Sequence, residues 1–385
     1  MRLGVDIRCL QDRWRTGVGE YVWQTLKVLS TDPSLHLRGF ANAAGRIDLP
    51  PGLERVVEIH RSRVPNKFMN LKQFWRLGQP IDELARARSE PLDIFWLPNP
   101  GFAFLSGRRP AVLTVHDLAF MHFPELFPHR GRLWYFPAVK RLLTQGLPPR
   151  SLVAAVSQHT ADDVAHCFPV LRERIRVVPP GLDARYLEAP TAEACGQVRQ
   201  RYGLPAQYLL SLGTVEPRKN YALLVAAYEE IVRQNKNYPY DLVIAGAWGW
   251  RTASLRRLLA RLTSRGRIHF IGYVPDEDKP ALYAQAKLFL YPSLYEGIGL
   301  PPLEAMAAGV PVVASQSSSL PEVVGESGIL LSPYQPEVWA HTISWLSGDS
   351  MAQQQLVERG RARAKLFSWV NTATAYQTLF RELTT

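Results

Sequence analysis

Short apolar runs alternate with longer amphipathic stretches along this chain. Runs of four or five apolar residues favour buried strands, and the stretches between them have the spacing of surface helices. In the first half, the pattern predicts strands at Arg2–Asp6, Asp93–Leu97, Val112–Val115, Leu152–Val156 and Arg176–Val178. In the second half, it predicts strands at Tyr208–Leu212, Asp241–Ala245, Ile268–Ile271, Lys287–Tyr291, Pro311–Ala314 and Gly328–Leu331. Such an alternation is typical of doubly wound α/β domains.

The size and composition of the chain predict two soluble domains. At 385 residues, it is too long for one ordinary core. Its 46% hydrophobic and 21% charged residues are typical of soluble proteins, and no apolar run approaches the roughly 20 residues of a membrane span. The start, Met1–Ile7, lacks the apolar segment of a signal peptide and is interpreted as a strand. Cys9, Cys167 and Cys195 are odd in number and far apart, so we expect reduced core cysteines of a cytoplasmic protein.

The stretch Tyr295–Gly309 has the features of an anion site. An apolar run precedes it, and Gly297 and Gly299 allow the backbone to approach another group closely. Pro301 and Pro302 then begin a helix, where a missing N–H costs nothing, and a glycine ends it. A strand, a glycine turn and a helix N-terminus attract an anion because free N–H groups and the helix dipole point outward there.

Two carboxylates accompany this stretch. Glu296 lies in the turn and Glu304 is expected in the first turn of the helix, and each offers two oxygens to hydroxyl groups. An anion site beside hydroxyl acceptors suits a sugar nucleotide. Glu304 is equally consistent with a residue that complements the helix dipole, and proline and glycine mark any junction of a strand and a helix.

Two cations follow the first strand of the second half. Arg218 and Lys219 lie in the turn Gly213–Asn220, which we expect at the carboxyl edge of a sheet. Arginine gives a bidentate fork and lysine a point charge, so the pair suits a diphosphate. An ion pair with Glu216 is the alternative, but a proline-fixed turn that exposes both side chains favours a ligand.

Polar residues follow strands of the first half as well. His116 and Asp117 end a predicted strand, where α/β sheets bind their ligands, although a structural histidine is the more frequent finding. Gly17 and Gly19 open a helix, and Ser157 or Thr160 is expected to cap another. A stiff Pro-Pro-Gly segment, 179–181, closes the first domain.

The spacing of Glu296 and Glu304, with seven residues between them, resembles the paired-glutamate signature of the retaining glycosyltransferases of family 4, which have the GT-B fold. The run 296–315 is similar to that family nearly residue by residue. The family commonly has arginine directly after the glycine of the first turn and lysine five residues later. Here Thr214 follows Gly213 and Lys219 is kept, so the role of Arg218 is an inference. This variant looks like the branch that contains many bacterial mannosyltransferases.

The resemblance implies α/β, GT-B architecture: two Rossmann-like doubly wound domains that face a cleft, and a C-terminal helix that crosses back. Residues 1–183 would form the acceptor-side domain, 184–366 the nucleotide-sugar domain and 367–385 the helix. The activity implied is transfer of a hexose with retention, best guessed as mannose from GDP-mannose, to a glycan or lipid-linked glycan hydroxyl in bacterial surface polysaccharide synthesis. No other cofactor is implied.

The resemblance also implies roles for residues. Arg218 and Lys219 would stabilise the leaving diphosphate, Glu296 would position sugar hydroxyls, and Glu304 would accept a hydrogen bond from the ribose. His116 would approach the transferred sugar, in a front-face reaction. The remaining donor-binding residues implied by the resemblance are Gly17, Gly19, Asp117, Gly213, Tyr273, Val274, Gly297, Ile298, Gly299 and Leu300. No metal is expected, because the acidic run Asp276–Asp278 is interpreted as the cap of a helix over Pro280–Ala286.

The net charge of +11 favours anionic partners. Two basic stretches, 61–88 with interleaved aromatic residues and 129–150 without acids, are typical of attachment to an anionic lipid surface. The resemblance implies that this surface would be the inner face of the cytoplasmic membrane, with the protein peripheral to it. The alternative is a solvated helix whose aromatic residues pack into their own domain. We find no nucleic-acid motif.

Two other functions fit the same residues less well. A sugar-nucleotide epimerase on the same fold would carry acid and base carboxylates in the cleft and would convert its donor without an acceptor. A non-catalytic basic protein that binds nucleic acid or a lipid surface would not need both glutamates together with the cation pair.

Overall fold

The computed structural model describes residues 1–11, 17–43, 49–85, 91–129 and 131–384. The basic residues Arg86, Arg88 and Arg130 of the two basic stretches lie outside the described residues. The chain forms two compact units, of which unit 1 consists of Met1–Gly181 with Ser368–Thr385 and unit 2 of Leu182–Phe367. Each unit is built on one parallel sheet with helices around it.

Unit 1 contains a parallel sheet of seven strands within the described residues, in the order β3-β2-β1-β4-β5-β6-β7. The strands are β1 (Arg2–Asp6), β2 (His36–Asn42), β3 (Glu58–Ser62), β4 (Ile94–Leu97), β5 (Ala111–Val115), β6 (Ser151–Ala155) and β7 (Ile175–Val177). The helices that precede the second unit are α1 (Gly17–Leu29), α2 (Leu53–Val56), α3 (Asn66–Phe74), α4 (Ile81–Leu84), α5 (Ala119–His122), α6 (Phe136–Arg141) and α7 (Gln158–Cys167). Ser157 caps α7 by accepting a hydrogen bond of 3.0 Å from the Thr160 N–H.

Unit 2 contains a parallel sheet of six strands within the described residues, in the order β10-β9-β8-β11-β12-β13. The strands are β8 (Tyr208–Leu212), β9 (Asp241–Ala245), β10 (Ile268–Gly272), β11 (Phe289–Tyr291), β12 (Val312–Ser315) and β13 (Ile329–Leu331). The helices are α8 (Ala192–Tyr202), α9 (Tyr221–Gln234), α10 (Ala253–Leu259), α11 (Lys279–Ala284), α12 (Leu300–Ala307), α13 (Leu320–Val324), α14 (Pro336–Gly348) and α15 (Ser350–Ala364). Buried apolar residues cover this sheet on both faces.

The last helix, α16 (Trp369–Thr384), belongs to unit 1 although it follows unit 2 in the chain. Its buried residues Tyr376 and Phe380 contact the ring of Trp96 on β4. The Tyr376 hydroxyl also bonds to the Tyr21 hydroxyl of α1 at 3.0 Å. The C-terminal segment therefore completes the core of the unit that the N-terminal segment begins.

Two strands of unit 1, β2 and β3, were not predicted. β3 forms the edge of the sheet, and its sequence Glu-Ile-His-Arg-Ser is half exposed. The three cysteines, Cys9, Cys167 and Cys195, are free and half-buried. Cys167 and Cys195 pack against the apolar cores of units 1 and 2, respectively, so the expectation of core residues is confirmed in part. Within the described part of the chain, no helix combines the length and the apolar character that a membrane span requires.

Candidate functional site

The predicted donor residues of unit 2 gather where the strand order of the sheet reverses. β8 and β11 are neighbours there, with Leu210 paired to Phe289, and the strands continue outward from them in opposite directions. Open parallel sheets bind ligands at the carboxyl ends of such strands, because the two following loops diverge and leave a crevice. The loop after β8 carries Arg218 and Lys219, and the loop after β11 carries Glu296.

The first loop is a tight turn held by close backbone contacts. Gly213 has a φ of +151° and Gly246, after β9, has a φ of +149°. A Cβ atom on Gly246 would collide with the Gly213 carbonyl oxygen, so the neighbouring loop can only approach through glycine. Pro217–Lys219 then form one 3-10 turn, and Asn220 adopts a left-handed conformation before α9 begins.

Lys219 is buried rather than exposed. Its ammonium group donates a hydrogen bond of 2.7 Å to Glu296 Oε1 and one of 2.6 Å to the Tyr291 hydroxyl. The nitrogen also lies 4.9 Å from the centre of the Tyr291 ring, which adds a cation–π contact. The residue is 8% exposed, so the expectation of an exposed lysine side chain in this turn is wrong.

Arg218 joins the two loops. Its guanidinium group donates to Glu216 Oε1 at 3.0 Å, to the Tyr295 carbonyl at 2.8 Å and to Glu296 Oε2 at 3.0 Å. The alternative considered from sequence, an ion pair with Glu216, therefore exists, but Glu296 is a second partner. One buried carboxylate, Glu296, accepts from both cations, and the two cations with the two carboxylates have a formal net charge of zero.

The ion pairs shift the titration of these groups. Burial raises the pKa of Glu296, but the charges of Arg218 and Lys219 and hydrogen bonds from Lys219 and Ser293 outweigh it and lower the pKa to about 2. Burial lowers the pKa of Lys219, and attraction to Glu296 offsets part of that effect. Burial raises the pKa of Glu216, against the attraction of the same cations. Glu296 is therefore ionised at neutral pH.

The turn before α12 presents backbone donors. Within the described residues, no oxygen accepts a hydrogen bond from the N–H groups of Ile298, Gly299 or Leu300. Gly299 has a φ of +82°, and a Cβ atom there would lie 2.6 Å from Leu320 Cδ2, so the glycine allows this turn to pack on α13. Three N–H groups at the positive end of a helix are the donors that the predicted anion site would need.

Glu304 is the fifth residue of α12, so its predicted place in the first turn is wrong. It is buried, at 9% exposure, and one oxygen accepts a hydrogen bond of 2.8 Å from the Tyr283 hydroxyl. Burial lowers the pKa of Lys279, but the charges of Glu304 and Asp276 outweigh it and raise the pKa above its ordinary value. A carboxylate in the second turn contributes little to the interaction with the helix dipole, so the dipole does not account for this buried side chain.

The segment after β10 is half-buried. Val274 is 4% exposed and packs into the core of unit 2, so only its backbone remains available to a ligand. Tyr273 beside it is half-buried.

The acidic run before α11 does not cap the helix with its side chains. Asp278 instead accepts hydrogen bonds of 2.6 Å from Arg201 and from the Tyr202 hydroxyl, and Asp276 pairs with Lys279 at 2.6 Å. Asp278 thus occupies the predicted N-cap position of α11, but its side chain makes no cap hydrogen bond and instead joins α11 to α8. Among the described residues, no cluster of three histidine, cysteine or acidic side chains could hold a metal ion.

In unit 1, His116 follows β5 and is held in one orientation. Its Nε2 bonds to the Pro98 carbonyl at 2.8 Å, and the Tyr21 ring meets it edge-on at 5.1 Å. Burial lowers the pKa of His116, although Pro98 and Asp117 act in the opposite direction. A neutral ring that donates through Nε2 leaves Nδ1 as an acceptor. Asp117 accepts from the Ala119 N–H at 3.1 Å and so begins α5.

Gly17 and Gly19 lie in the first turn of α1. Gly17 is exposed, and a Cβ atom there would meet no atom within 4 Å. Gly19 is buried in the same turn.

Sequence reasoning missed the tyrosines that support the site. From the sequence, Tyr291 and Tyr283 would be interpreted as core residues of an apolar strand and a helix, and both are buried. Their hydroxyls reach Lys219 and Glu304, respectively. The signal available was chemical, because a buried tyrosine hydroxyl needs a polar partner.

Comparisons with known proteins found similar sequences for both units. A family model described as "Glycosyl transferases group 1" matches residues 199–363, and one described as "Glycosyltransferase Family 4" matches residues 17–186. "O-antigen chain mannosyltransferase B" of Escherichia coli is 35% identical over 367 residues, which are 93% of this chain and 94% of that protein. "Serotype-specific mannosyltransferase WbdA" of Escherichia coli is 32% identical over 228 residues, which are 57% of this chain and 27% of that protein.

The solved structure of HepE from Anabaena, in complex with UDP and glucose, has a TM-score of 0.75 and 20% sequence identity, over 99% of both chains. At that identity, the likeness concerns the fold. It confirms the predicted architecture of two Rossmann-like parallel-sheet domains.

Proposed function

Since this chain belongs to the group 1 glycosyltransferases of family 4, we propose that it transfers a hexose with retention from a nucleotide sugar to a hydroxyl of a glycan or lipid-linked glycan. The observation that carries the proposal is the buried network in which Glu296 bonds to both Arg218 and Lys219 at the carboxyl ends of β8 and β11. A nucleoside diphosphate needs cations and backbone donors, and a sugar needs fixed carboxylates.

The donor is proposed to be GDP-mannose and the product a bacterial surface polysaccharide. Support comes from the two relatives above, which are both named mannosyltransferases and one of which is named for the O-antigen chain. A UDP-linked sugar is the competing donor, since the HepE structure contains UDP.

In the proposed reaction, the cations exchange partners. The donor diphosphate displaces the Glu296 carboxylate from Arg218 and Lys219, because it carries more negative charge than one carboxylate. The freed Glu296 then accepts hydrogen bonds from sugar hydroxyls, while the two cations stabilise the charge that grows on the leaving diphosphate. The free N–H groups of Ile298, Gly299 and Leu300 supply further donors to the phosphates.

The other residues are proposed to position the substrates. Glu304, held by Tyr283 at 2.8 Å, accepts from the ribose hydroxyls, and the backbone at Tyr273 and Val274 reads the base. His116 accepts a sugar hydroxyl through Nδ1, since Nε2 is engaged by Pro98. The acceptor hydroxyl attacks the anomeric carbon on the face from which the diphosphate leaves and gives its proton to the leaving phosphate oxygen, so the new C–O bond replaces the old one with retention.

We propose that the reaction is independent of metal. Arg218 and Lys219 already supply two positive charges at the phosphates, which is the role that a divalent cation would otherwise fill. Activity should therefore persist in excess chelator. Complete loss of activity that magnesium or manganese restores would contradict this part of the proposal.

The test is a panel of nucleotide sugars with glycan and lipid-linked glycan acceptors, with products identified by mass spectrometry and their anomeric configuration by NMR. The expected product is a mannoside with the configuration of the donor, formed by the wild type and not by Glu296→Gln. Turnover of the donor without an acceptor would indicate the epimerase instead. Calorimetry with GDP and UDP gives an independent check, because tighter binding of UDP would reject GDP-mannose.

A further inference from the structure

Unit 1 presents an apolar surface patch that the proposed reaction does not use. Six large hydrophobic side chains in two segments are each 45–69% exposed: Phe68, Leu71, Trp75, Leu77, Leu133 and Trp134. Among the other described residues of unit 1, the exposed large hydrophobic side chains are Val170 and Val370. We call these six residues the apolar patch.

The first segment follows from the pattern of α3. Phe68, Leu71 and Trp75 recur at the spacing i, i+3 and i+7, so they form one stripe along the helix. Met69 and Gln73 lie on the other face, where both are 3% exposed. The Gln73 side chain accepts from the Phe104 N–H at 2.8 Å and donates to the Gln79 carbonyl at 3.0 Å. The helix is therefore fixed by its buried face, with the apolar stripe directed to solvent.

The second segment joins the first through direct contacts. The Trp134 ring lies 5.4 Å from the Phe74 ring, edge to face. Arg141 of α6 donates a hydrogen bond of 2.8 Å to the Phe74 carbonyl and lies 5.2 Å from the centre of its ring. The fold thus brings the two basic stretches, which are separated by residues 89–128 in the sequence, into one surface.

Cations surround this patch without acidic partners. Lys67 and Lys72 flank the stripe of α3 on its two sides, and Arg132 and Lys140 accompany the second segment. All four are exposed, and within the described residues none of them has a carboxylate at ion-pair distance. The sequence contains no acid from residue 63 to 81 or from 126 to 150.

Arg76 provides a further sign that the positive charge is needed. It follows the C-cap of α3 with a φ of +54°, a conformation in which glycine would be preferred. Its guanidinium group lies 5.6 Å from the centre of the Phe104 ring. Arg76 and Arg141 both line an open pocket beside the apolar patch, together with Phe74, Phe102 and Phe104.

We infer that this face of unit 1 docks on an anionic lipid surface. Exposed aromatic and aliphatic tips enter the headgroup region, while long cationic side chains beside them reach the lipid phosphates. A second copy of the chain fits less well, because two such faces would oppose cation to cation. The inference concerns a surface apart from the donor site and does not rest on the proposed reaction.

The test is sedimentation of the full chain with vesicles of phosphatidylglycerol and phosphatidylcholine, and with vesicles of phosphatidylcholine alone. The wild type should sediment with the anionic vesicles at low salt and should be released at high salt. With the neutral vesicles, it should remain in the supernatant. The triple variant Lys67→Glu, Lys72→Glu and Arg76→Glu should bind at least about 100-fold more weakly, since each cation near the surface contributes a factor of about five. The double variant Phe68→Ser and Trp75→Ser should also bind more weakly at low salt.

Matched controls lie in unit 2. The variant Arg257→Glu, Arg261→Glu and Arg265→Glu makes the same change in net charge at three exposed arginines, and Tyr334→Ser with Trp345→Ser removes two other exposed aromatic rings. Both should bind vesicles as the wild type does. Equal loss of binding in the arginine control would show that net charge alone explains the weaker binding of the triple glutamate variant, and it would overturn the inference.

Two further results would overturn it. One is a wild type that stays in the supernatant at low salt. The other is a stable dimer in analytical ultracentrifugation that Phe68→Ser and Trp75→Ser convert to monomer, since the patch would then bind a second copy. Circular dichroism confirms that each variant is folded. Transfer to a water-soluble acceptor should be unchanged in the triple glutamate variant, so a failure of docking is distinguishable from a failure of the proposed reaction.

Discussion

Removal of either cation of the site should lower both activity and stability. Arg218→Ala or Lys219→Ala should each lower kcat/KM by about 100-fold or more, on the order of 3 kcal/mol of transition-state stabilisation, because each loses a charge at the proposed diphosphate site. Each variant should also lower thermal stability, since it leaves the buried Glu296 carboxylate with one cation fewer. Steady-state kinetics and thermal unfolding measure the two effects.

The control for these variants is Lys236→Ala, which removes an exposed lysine of the same unit. It should leave both kcat/KM and thermal stability unchanged. Near-wild-type kinetics of both Arg218→Ala and Lys219→Ala would show that the diphosphate binds elsewhere.

Glu296 should make folding stability depend on pH in the acid range. A pKa lowered from 4.5 to about 2 in the folded state corresponds to a stabilisation on the order of 3 kcal/mol at neutral pH. Because the folded pKa is the lower one, this stabilisation is present above pH 4.5 and is lost as the pH falls towards 2. Urea unfolding at a series of pH values should show the wild type losing its advantage over Glu296→Gln in that window.

The matched control is Glu326→Gln at an exposed position, for which the difference from the wild type should stay flat with pH. A constant difference between the wild type and Glu296→Gln would mean that the ion pairs with Arg218 and Lys219 do not hold this carboxylate ionised.

The residue types of the site could be predicted from sequence, but their contacts could not. Glycine, proline and the charged residues identify both loops, and the structure brings Arg218, Lys219 and Glu296 within hydrogen-bond distance. Their pairing depends on β8 and β11 being neighbours, although 76 residues, 213–288, lie between the end of β8 and the start of β11. Sequence spacing does not contain that adjacency, so the cations were expected to be exposed.

At the scale of elements, central strands were easier to predict than edge strands. β1, β8 and β9 have the predicted bounds, because a strand covered on both faces is a continuous apolar run. β3 has one neighbour and an exposed face, so its residues alternate without a clear apolar period. A continuous apolar run therefore predicts the central strands of each sheet. An edge strand such as β3 is recognised only from the strand with which it pairs in the folded structure.

The turn that begins α12 should be sensitive to a single methyl group. Gly299→Ala should destabilise unit 2 by about 1–3 kcal/mol, because alanine is strained at a φ of +82° and its Cβ would lie 2.6 Å from the fully buried Leu320 side chain. It should also raise KM for the donor, since it displaces the free N–H groups of this turn. Urea unfolding and steady-state kinetics measure the two effects.

Gly266→Ala serves as the control, since a Cβ atom there meets no atom within 4 Å. It should leave both stability and KM unchanged. An unchanged stability of Gly299→Ala would mean that the turn relaxes, and that glycine is not required there by the packing on Leu320.

At the scale of the whole molecule, the division of the chain into units does not follow its order. α16 is the last helix, yet its Tyr376 hydroxyl bonds to Thr114 Oγ1 at 2.6 Å and to the Tyr21 hydroxyl at 3.0 Å. Thr114 Oγ1 in turn accepts from the Trp96 indole at 2.9 Å. All four residues are buried, and they bond to one another except that the Tyr21 hydroxyl also donates to the Val178 carbonyl at 3.2 Å.

Tyr376→Phe tests whether this network stabilises unit 1 separately from unit 2. The variant keeps the ring that packs on Trp96 but removes the hydroxyl, so the Tyr21 and Thr114 oxygens lose a partner at a cost of about 1–3 kcal/mol. Hydrogen exchange followed by mass spectrometry should show faster exchange in peptides from β4 and β5, while peptides from β8 and β9 exchange as in the wild type. Tyr334→Phe, which removes a hydroxyl from a tyrosine that is 71% exposed, should change neither. An equal increase in the exchange rate of both sets of peptides would mean that the units unfold together, because the loss of one hydroxyl in unit 1 would then destabilise unit 2 as well.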